Sequence, residues 1–470
     1  MLEQLKCKSS GTLLDVIEVI NNNAKGVAFI INDDDTFGGI MTDGDIRRLL
    51  LDGFDLSSQI GNNSNQNCTI AYEGESFQKM LKKTNEKVTI LPILNADRQL
   101  IDFFQYQNKV YVPVAAPNLK GNEFKYLVDA FMSTWISSSG KYINQFEEQF
   151  SAFCDCKYGV AVSNGTVAIH LALEALGIGN SDEVIVPDLT FAATINTVFH
   201  SNATPVIVDV LEDSWCIDPD EIEKAITPKT KAIIPVHIYG QVCNMDAIMA
   251  LAKKHKLFVI EDCAEAHGAT YKGRKVGSFG DISTFSFFGN KIITTGEGGM
   301  CVTNNEASNN RMRVLRDHGM SKEKRYWHDE VGYNYRMTNL QAAIGVGQLE
   351  RINEILDFRR SIENDYIDLL KDFDFIQFQP HFKNSKRVTW LVSALINNGK
   401  RNELMELMKE GKIDVRPFFY PLGDMAPYKE HVFSNKISRH LSEQGINFPT
   451  AQHLNPMLKD RIKLIFESLK

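Results

Sequence analysis

Apolar and polar positions divide the chain into two regimes. From about residue 159 onward, short apolar runs recur: GVAV at 159–162, EVIVP at 183–187 and LFVI at 257–260. Each ends in a polar or glycine-containing turn, the pattern of a buried strand. Segments with helical spacing lie between them. After Ser163-Asn164-Gly165-Thr166, apolar residues at Val167, Ile169, Leu171, Leu173 and Leu176 predict an amphipathic helix. Strands alternating with helices predict an open α/β sheet. Leu340–Phe373 predicts one long helix, and VTWLVSALI at Val388–Ile396 a strand in a smaller α/β domain.

The first hundred residues follow another plan. Leu13–Leu50 and Ser76–Phe104 each read as a helix, an apolar strand (GVAFII, KVTILPIL), a polar turn, a second strand and a return. A spacing of roughly sixty residues suggests an internal pair rather than a solenoid, which needs three or more repeats. The regimes meet near Gln105–Tyr111. The expected layout is an α+β module over 1–108, a large domain over 109–345 and a small C-terminal domain over 346–470.

Candidate chemistry sits at the strand ends. FSFFGNKIIT, Phe285–Thr294, places Lys291 between an apolar run and the glycine-rich Gly296–Gly299. A lysine in apolar surroundings can lose its proton and form Schiff bases with carbonyl compounds, pyridoxal phosphate (PLP) above all. The competing reading is a surface lysine at a strand end. In VIEDCAEAHGA, Asp262 follows a predicted strand at the sheet edge where ligands of open α/β sheets bind. It reads equally as the acid that pairs with a PLP ring nitrogen or as a helix cap. Small residues at 163–166 suit a phosphate at a helix N-terminus, or an ordinary capped helix start. Phe191, after EVIVPDLT, can stack on a ring or fill core.

As a set, VSNGTVAIHLAL, VIVPDLTF, IPVHIYGQ, IEDCAEAHGA, GSFGDISTFSFFGNK, TTGEGGM, GYNYRMTNLQAAIG and RPFFYP resemble the fold-type I PLP enzymes. Within these they resemble the sugar-nucleotide aminotransferases of the DegT/DnrJ/StrS family, from about Tyr111 to the C-terminus. The resemblance implies an aspartate aminotransferase-like large domain followed by a small α/β domain. It also implies that Lys291 carries the cofactor and shuttles the proton, and that Asp262 pairs with the pyridine nitrogen. Glu265 would lie by the ring hydroxyl and Phe191 on the ring. Ser163, Asn164, Gly165, Thr166 and Ser286 would hold the phosphate. Asn334 would reach the cofactor of a second subunit, which makes the expected enzyme a homodimer with shared sites. Related dehydratases carry histidine where Lys291 stands, so the implied reaction is transamination. Glutamate would supply the amino group, and the C4 ketone of a nucleotide-linked 4-keto-6-deoxy sugar would receive it. A UDP- or dTDP-linked acceptor, or a dehydratase outcome, is the alternative.

Substrate contacts are read from Trp135 and Ser137 in STWISSSGKY, from Arg325 and His328 in RYWH, and from Arg416 in VRPFFYP. Each suits a pyrophosphate, a sugar or a base, and each also reads as a solvated residue beside packed aromatics. In the first module GGIMTDGDIRR resembles the CBS-domain signature, with Thr42 and Asp45 as the pair that would hold a nucleotide ribose. The same pair reads as a helix capping box. A regulatory, nucleotide-sensing protein is the alternative of another class.

Bulk properties narrow the field. A net charge of −8 over 470 residues argues against non-specific nucleic-acid binding. The 43% hydrophobic and 23% charged content is that of a globular chain without a membrane-spanning run. MLEQLKCKSS has no secretion-signal core, and the eight cysteines are scattered, so a reduced cytoplasmic protein is expected. Cys154-x-Cys156 has no partner pair, and no metal site is expected.

Overall fold

The computed structural model describes residues 2–470 apart from 24, 62, 76, 85–87, 106–110 and 322. The chain forms two units, Met1–Val110 and Tyr111–Lys470. Most of the expected junction at 105–111, and Ser76 at the start of the second repeat, lie outside the described residues.

In the first unit β1 (Lys6–Lys8) pairs in parallel with β2 (Val27–Ile31), and β2 antiparallel with β3 (Phe37–Thr42). β4 (Ala71–Tyr72), β5 (Ile90–Leu94) and β6 (Leu100–Gln105) repeat that order, parallel then antiparallel. Both antiparallel pairs shift register at the turn, at Ile30/Ile31 and at Ile93/Leu94. α1 (Leu13–Asn23) and α3 (Phe77–Lys82) occupy corresponding connections, and α2 (Asp43–Leu51) follows β3. Side chains alternate across a strand. Ala28 and Ile30 of β2 therefore pack with α1, while Val27, Phe29 and Ile31 meet Ile90, Leu94 and Leu100 of the second sheet. α1 on one face and the second sheet on the other bury β2 completely.

The second unit is built on a seven-stranded sheet ordered β7-β15-β14-β11-β10-β8-β9. Its strands are β7 (Tyr158–Val162), β8 (Glu183–Pro187), β9 (Thr204–Val208), β10 (Thr230–Ile233), β11 (Phe258–Asp262), β14 (Ile282–Ser286) and β15 (Gly299–Thr303). Only β15 runs antiparallel to its neighbours. The other six strands therefore end at one edge, and ligands of open α/β sheets collect there. α4 (Glu123–Met132) and α5 (Lys141–Phe153) pack on α11 (Asn339–Glu350). α6 (Gly165–Ala175), α7 (Ala193–His200), α8 (Pro219–Ala225), α9 (Met245–His255) and α10 (Glu306–Arg316) join or flank the strands. The short strands β12 (Thr270–Tyr271), β13 (Arg274–Lys275) and β17 (Ser385–Lys386) make a ribbon. After α12 (Ile352–Leu370), a four-stranded antiparallel sheet runs β16-β18-β20-β19: Ile376–Phe378, Val392–Ile396, Gly445–Phe448 and Arg416–Pro417. α13 (Arg401–Glu410), α14 (Lys436–Gln444) and α15 (Pro456–Glu467) accompany it.

Two expectations are corrected. α6 is not amphipathic: every residue from Ala168 to Leu173 is buried, because the helix lies against the sheet with α7 and α10 beside it. The single helix expected over 340–373 is two, α11 and α12, broken at Arg351 with φ −114° and ψ 12°. There the guanidinium turns to Asn118 at 3.3 Å and Glu354 at 2.6 Å. α11 is one continuous helix whose Gly345 sits against Phe146 of α5.

His267 lies fully buried among Phe150, Phe285 and Phe287. Burial, and then the charge of Lys291, push its imidazole down to about 3. The folded chain therefore refuses a proton that the unfolded chain takes up below its ordinary value near 6.5, and stability falls as pH drops through that window. In His267→Phe this loss is absent. Its stability relative to the parent chain should rise by about 2 kcal/mol between pH 7 and pH 5 in urea titrations.

Candidate active site

Four parallel strands deliver their last residues to one cavity of about 560 Å³. β7 leads to Asn164, Gly165 and Thr166, and β8 to Thr190 and Phe191. β11 ends in Asp262, followed by Glu265, and β14 ends in Ser286, followed by Phe288, Asn290 and Lys291. Trp390 and Phe419 come from the C-terminal part and close the wall.

The floor is built around Glu261, which is completely buried. Its carboxylate accepts from the N–H groups of Gly277 (3.0 Å), Phe279 (2.8 Å) and Gly280 (2.8 Å), from Ser283 Oγ (2.9 Å) and from His237 Nε2 (3.1 Å). Burial alone would raise this carboxyl, but the bonds from His237, Gly280 and Gly277 outweigh it and hold it below the usual range. The next residue, Asp262, points the other way, into the cavity. Its Oδ2 accepts from Thr194 Oγ1 at 2.9 Å and its Oδ1 from Ala264 N at 3.1 Å. No helix follows it, so the capping reading falls away. Burial pushes the Asp262 carboxyl up, opposed by those two bonds and by the charge of Lys291.

Lys291 is 12% exposed and faces two partners. Glu265 Oε1 lies 3.5 Å from Nζ, and the Trp390 ring centre 4.1 Å away. Glu265 Oε2 accepts from Tyr239 N at 2.8 Å. Burial pushes the Glu265 carboxyl up to about 7, restrained by Lys291 and the Tyr239 bond.

α6 opens at the cavity with Asn164 as its cap, the side chain accepting from Val167 N at 3.0 Å. The N–H groups of Gly165 and Thr166 remain for an anion, which the helix dipole favours. A side chain at Gly165 would meet Ser286 Cβ at 2.7 Å, so only glycine lets α6 and β14 converge here. A lysine amine, an opposed carboxylate and an anion-binding helix start in one cavity are the donor set that PLP requires.

The DegT/DnrJ/EryC1/StrS aminotransferase family matches residues 117–469. The chain belongs to that family. It is 45% identical over 360 residues to GDP-perosamine synthase of Escherichia coli O157:H7, covering 76% of this chain and 98% of the relative. GDP-perosamine synthase of Caulobacter vibrioides is 46% identical over 356 residues, covering 75% and 96%. Among solved structures, an aminotransferase from Psychrobacter cryohalolentis superposes with a TM-score of 0.70 at 32% identity, covering 75% of this chain and 98% of its own. The PLP form of a putative sugar aminotransferase from Streptococcus pneumoniae gives 0.72 at 27% identity, covering 76% and 99%. As a member of this family, the chain is a PLP-dependent aminotransferase, and fold-type I describes its second unit. The match does not extend to the first unit.

Other residues singled out in the sequence sit elsewhere. Ser163 is one residue outside the cavity wall, with its N–H on Tyr335 O at 2.8 Å. Asn334 is exposed and accepts from Arg336 Nε at 3.0 Å. Trp135 lines a separate groove with Tyr142 and Asn339, and exposed Ser137 accepts from Asn339 N through its carbonyl. Arg325 lies over the Tyr326 ring, and His328 Nδ1 meets His318 O at 2.9 Å, both in an exposed turn apart from the cavity. Arg416 lines an adjoining cavity of about 430 Å³ that shares Phe191, Asn290, Trp390 and Phe419 with the first. Phe191 is 60% exposed, which rules out the core reading.

Thr194, Tyr239, Arg359, Trp390 and Phe419 were not anticipated. The Trp390–Asn290 bond spans 100 positions, and no local pattern marks such a pair. Thr194→Val removes one of the two donors to Asp262 and leaves the shape. PLP affinity, read by titrating cofactor-stripped chain, should weaken about tenfold, the worth of one bond to a charged group.

Proposed function

We propose that the chain transfers an amino group from glutamate to the C4 ketone of a GDP-linked 4-keto-6-deoxy sugar, producing a perosamine-type sugar for a surface polysaccharide. Lys291 between Glu265 and Trp390, above Asp262 and the start of α6, carries this reading. The relatives at 45–46% identity supply the acceptor. A dehydratase outcome is not favoured, since a lysine occupies the position in question.

PLP, when bound, contributes an aldehyde that couples reversibly to amines and a ring that withdraws electrons from the neighbouring carbon. The chain does the rest. Lys291 Nζ anchors the cofactor and, once released, moves the proton, as the one amine among the lining residues. Asp262 holds the proton on the ring nitrogen through an opposed negative charge. Asn164, Gly165, Thr166 and Ser286 hold the phosphate, with Ser163 shaping the turn. Glu265 would lie by the ring hydroxyl and Phe191 would cover the ring. Arg416, in the adjoining cavity, takes the diphosphate.

A homodimer completes this site. Asn334 is exposed, and Phe124, Phe131 and Met132 form an exposed apolar stripe on α4, a surface suited to a second copy. Trp135, Ser137, Arg325 and His328 contribute to the sugar and nucleotide from the same outer surface. Among the described residues no helix is long and apolar enough to cross a membrane, which suits a cytoplasmic enzyme. The doubled sheet of the first unit supports a CBS-like pair. Thr42 and Asp45 are spent on each other there: the Thr42 hydroxyl donates to Asp45 Oδ2 at 2.6 Å, and the two close a capping box at the start of α2. A nucleotide held by that pair is therefore not part of the reading.

Glutamate should bleach the visible absorbance of the enzyme, and GDP-4-keto-6-deoxymannose should restore it. Restoration by UDP- or dTDP-linked keto sugars alone would reassign the acceptor. Lys291→Ala should lower turnover by at least about a thousandfold. Appreciable residual transamination by that variant would remove the lysine from its role.

A further inference from the structure

Acids and glycines around Lys291 account for the cofactor, but not for the aromatic face beneath the amine. Trp390 is 4% exposed, and its ring centre lies 4.1 Å from Lys291 Nζ. Three contacts fix the indole. Nε1–H donates to Asn290 O at 2.8 Å. The Trp390 carbonyl accepts from Arg359 Nη1 at 2.6 Å, and the ring runs nearly parallel to Tyr239, 15° apart with centres at 6.2 Å. Arg359 Nη2 also donates to Lys291 O at 3.0 Å. Trp390 is thus bound, directly or through one arginine, to both residues of the Asn290–Lys291 pair. Tyr239 extends the frame to Glu265 and Phe419, since its N–H donates to Glu265 Oε2 and its hydroxyl accepts from Phe419 N at 2.8 Å.

An indole face is negative and attracts a cation, most strongly where water is excluded. A lysine side chain has four rotatable bonds and loses its direction unless something holds its tip. We propose that Trp390 is a positioning residue for transamination: its indole face holds the Lys291 nitrogen as a cation and points it along the cavity. This rests on Lys291 being the cofactor lysine. The role differs from that of Glu265, whose carboxylate lies 3.5 Å from the same nitrogen and attracts it by charge.

Other groups that face Lys291 are Glu265, Asp262, His267 and Arg359. The two acids favour a cationic nitrogen. Arg359, and His267 whenever it is protonated, oppose it. None of them changes when only the electrons of the indole are altered.

That alteration is the test. The full chain, loaded with PLP, is produced with its four tryptophans replaced in turn by mono-, di- and trifluorotryptophan. Fluorine drains the ring face while nearly preserving its size and its N–H. The readout is the pH midpoint of the visible cofactor absorbance, which follows the proton on the lysine–cofactor link. The midpoint should fall stepwise with fluorine number, by about half to one pH unit in total. The slope should vanish in Trp390→Phe and persist in Trp327→Phe, an exposed position. A flat midpoint across the series, or a slope that survives in Trp390→Phe, overturns the proposal. Failure of the underlying assignment looks different: Lys291→Ala would then keep the visible band. Loss of that band with a flat fluorine series leaves the site standing and removes only Trp390.

Discussion

Glu261 has no exposed surface, and a charge so placed is tolerated only when hydrogen bonds replace its water. Five donors do so, four of them from residues 277–283, the segment that leads into β14. The fifth, His237 Nε2, comes from the segment after β10 and fixes that loop as well. His237 accepts at its other nitrogen from Cys243 N at 3.2 Å, so the neutral tautomer with its proton on Nε2 satisfies both contacts. One residue further along β11, the alternation of a strand turns Asp262 to the cavity side. The placement of Asp262, Ser286 and Lys291 thus depends on one buried carboxylate that takes no part in the chemistry. His237, Glu261 and Cys263 lie close enough together to suggest a metal site, yet both oxygens of Glu261 and both nitrogens of His237 are already engaged.

The C-terminal part is fastened to this edge by the same economy of buried carboxylates. Asp188, just after β8, accepts from Gly423 N and Ser438 Oγ, and burial pushes it up to about 6 against those two bonds. Asp209 receives the N–H groups of Ile437 and Ser438 at 2.6 and 2.8 Å, at the start of α14. These ties hold the segment that carries Phe419 and Tyr420 against the cavity mouth. Arg359, with burial pushing its guanidinium down to about 10, joins Lys291, Trp390 and Thr450. Lys291 is therefore gripped by the C-terminal part through its backbone as well as its amine.

The first unit follows a separate logic. Its core is shared between two similar sheets, and neither sheet could bury both faces of β2 alone. The repeat was legible because alternating strands and polar turns recur at a fixed spacing. At Thr42 and Asp45 a ribose clamp and a capping box ask for the same residue types at the same separation, and in the fold the two side chains close a capping box at the start of α2.

The sequence by itself determined the strand-and-turn order of the second unit and the residues at its strand ends. Each of Asp262, Ser286 and Lys291 stands beside a short apolar run, a signal carried by neighbours along the chain. It also determined the family, since those motifs come as a set. It misjudged α6, whose apolar spacing looks one-sided although sheet and helices cover it all round, and the helix at Arg351, where a side chain bonded to a distant segment breaks an otherwise unbroken pattern. Only the tertiary structure decided which aromatics face Lys291, which threonine supports Asp262, and that Ser163 stands outside the wall. Those facts rest on contacts between residues far apart in the chain. Such contacts depend on where whole elements pack, and no periodicity records that.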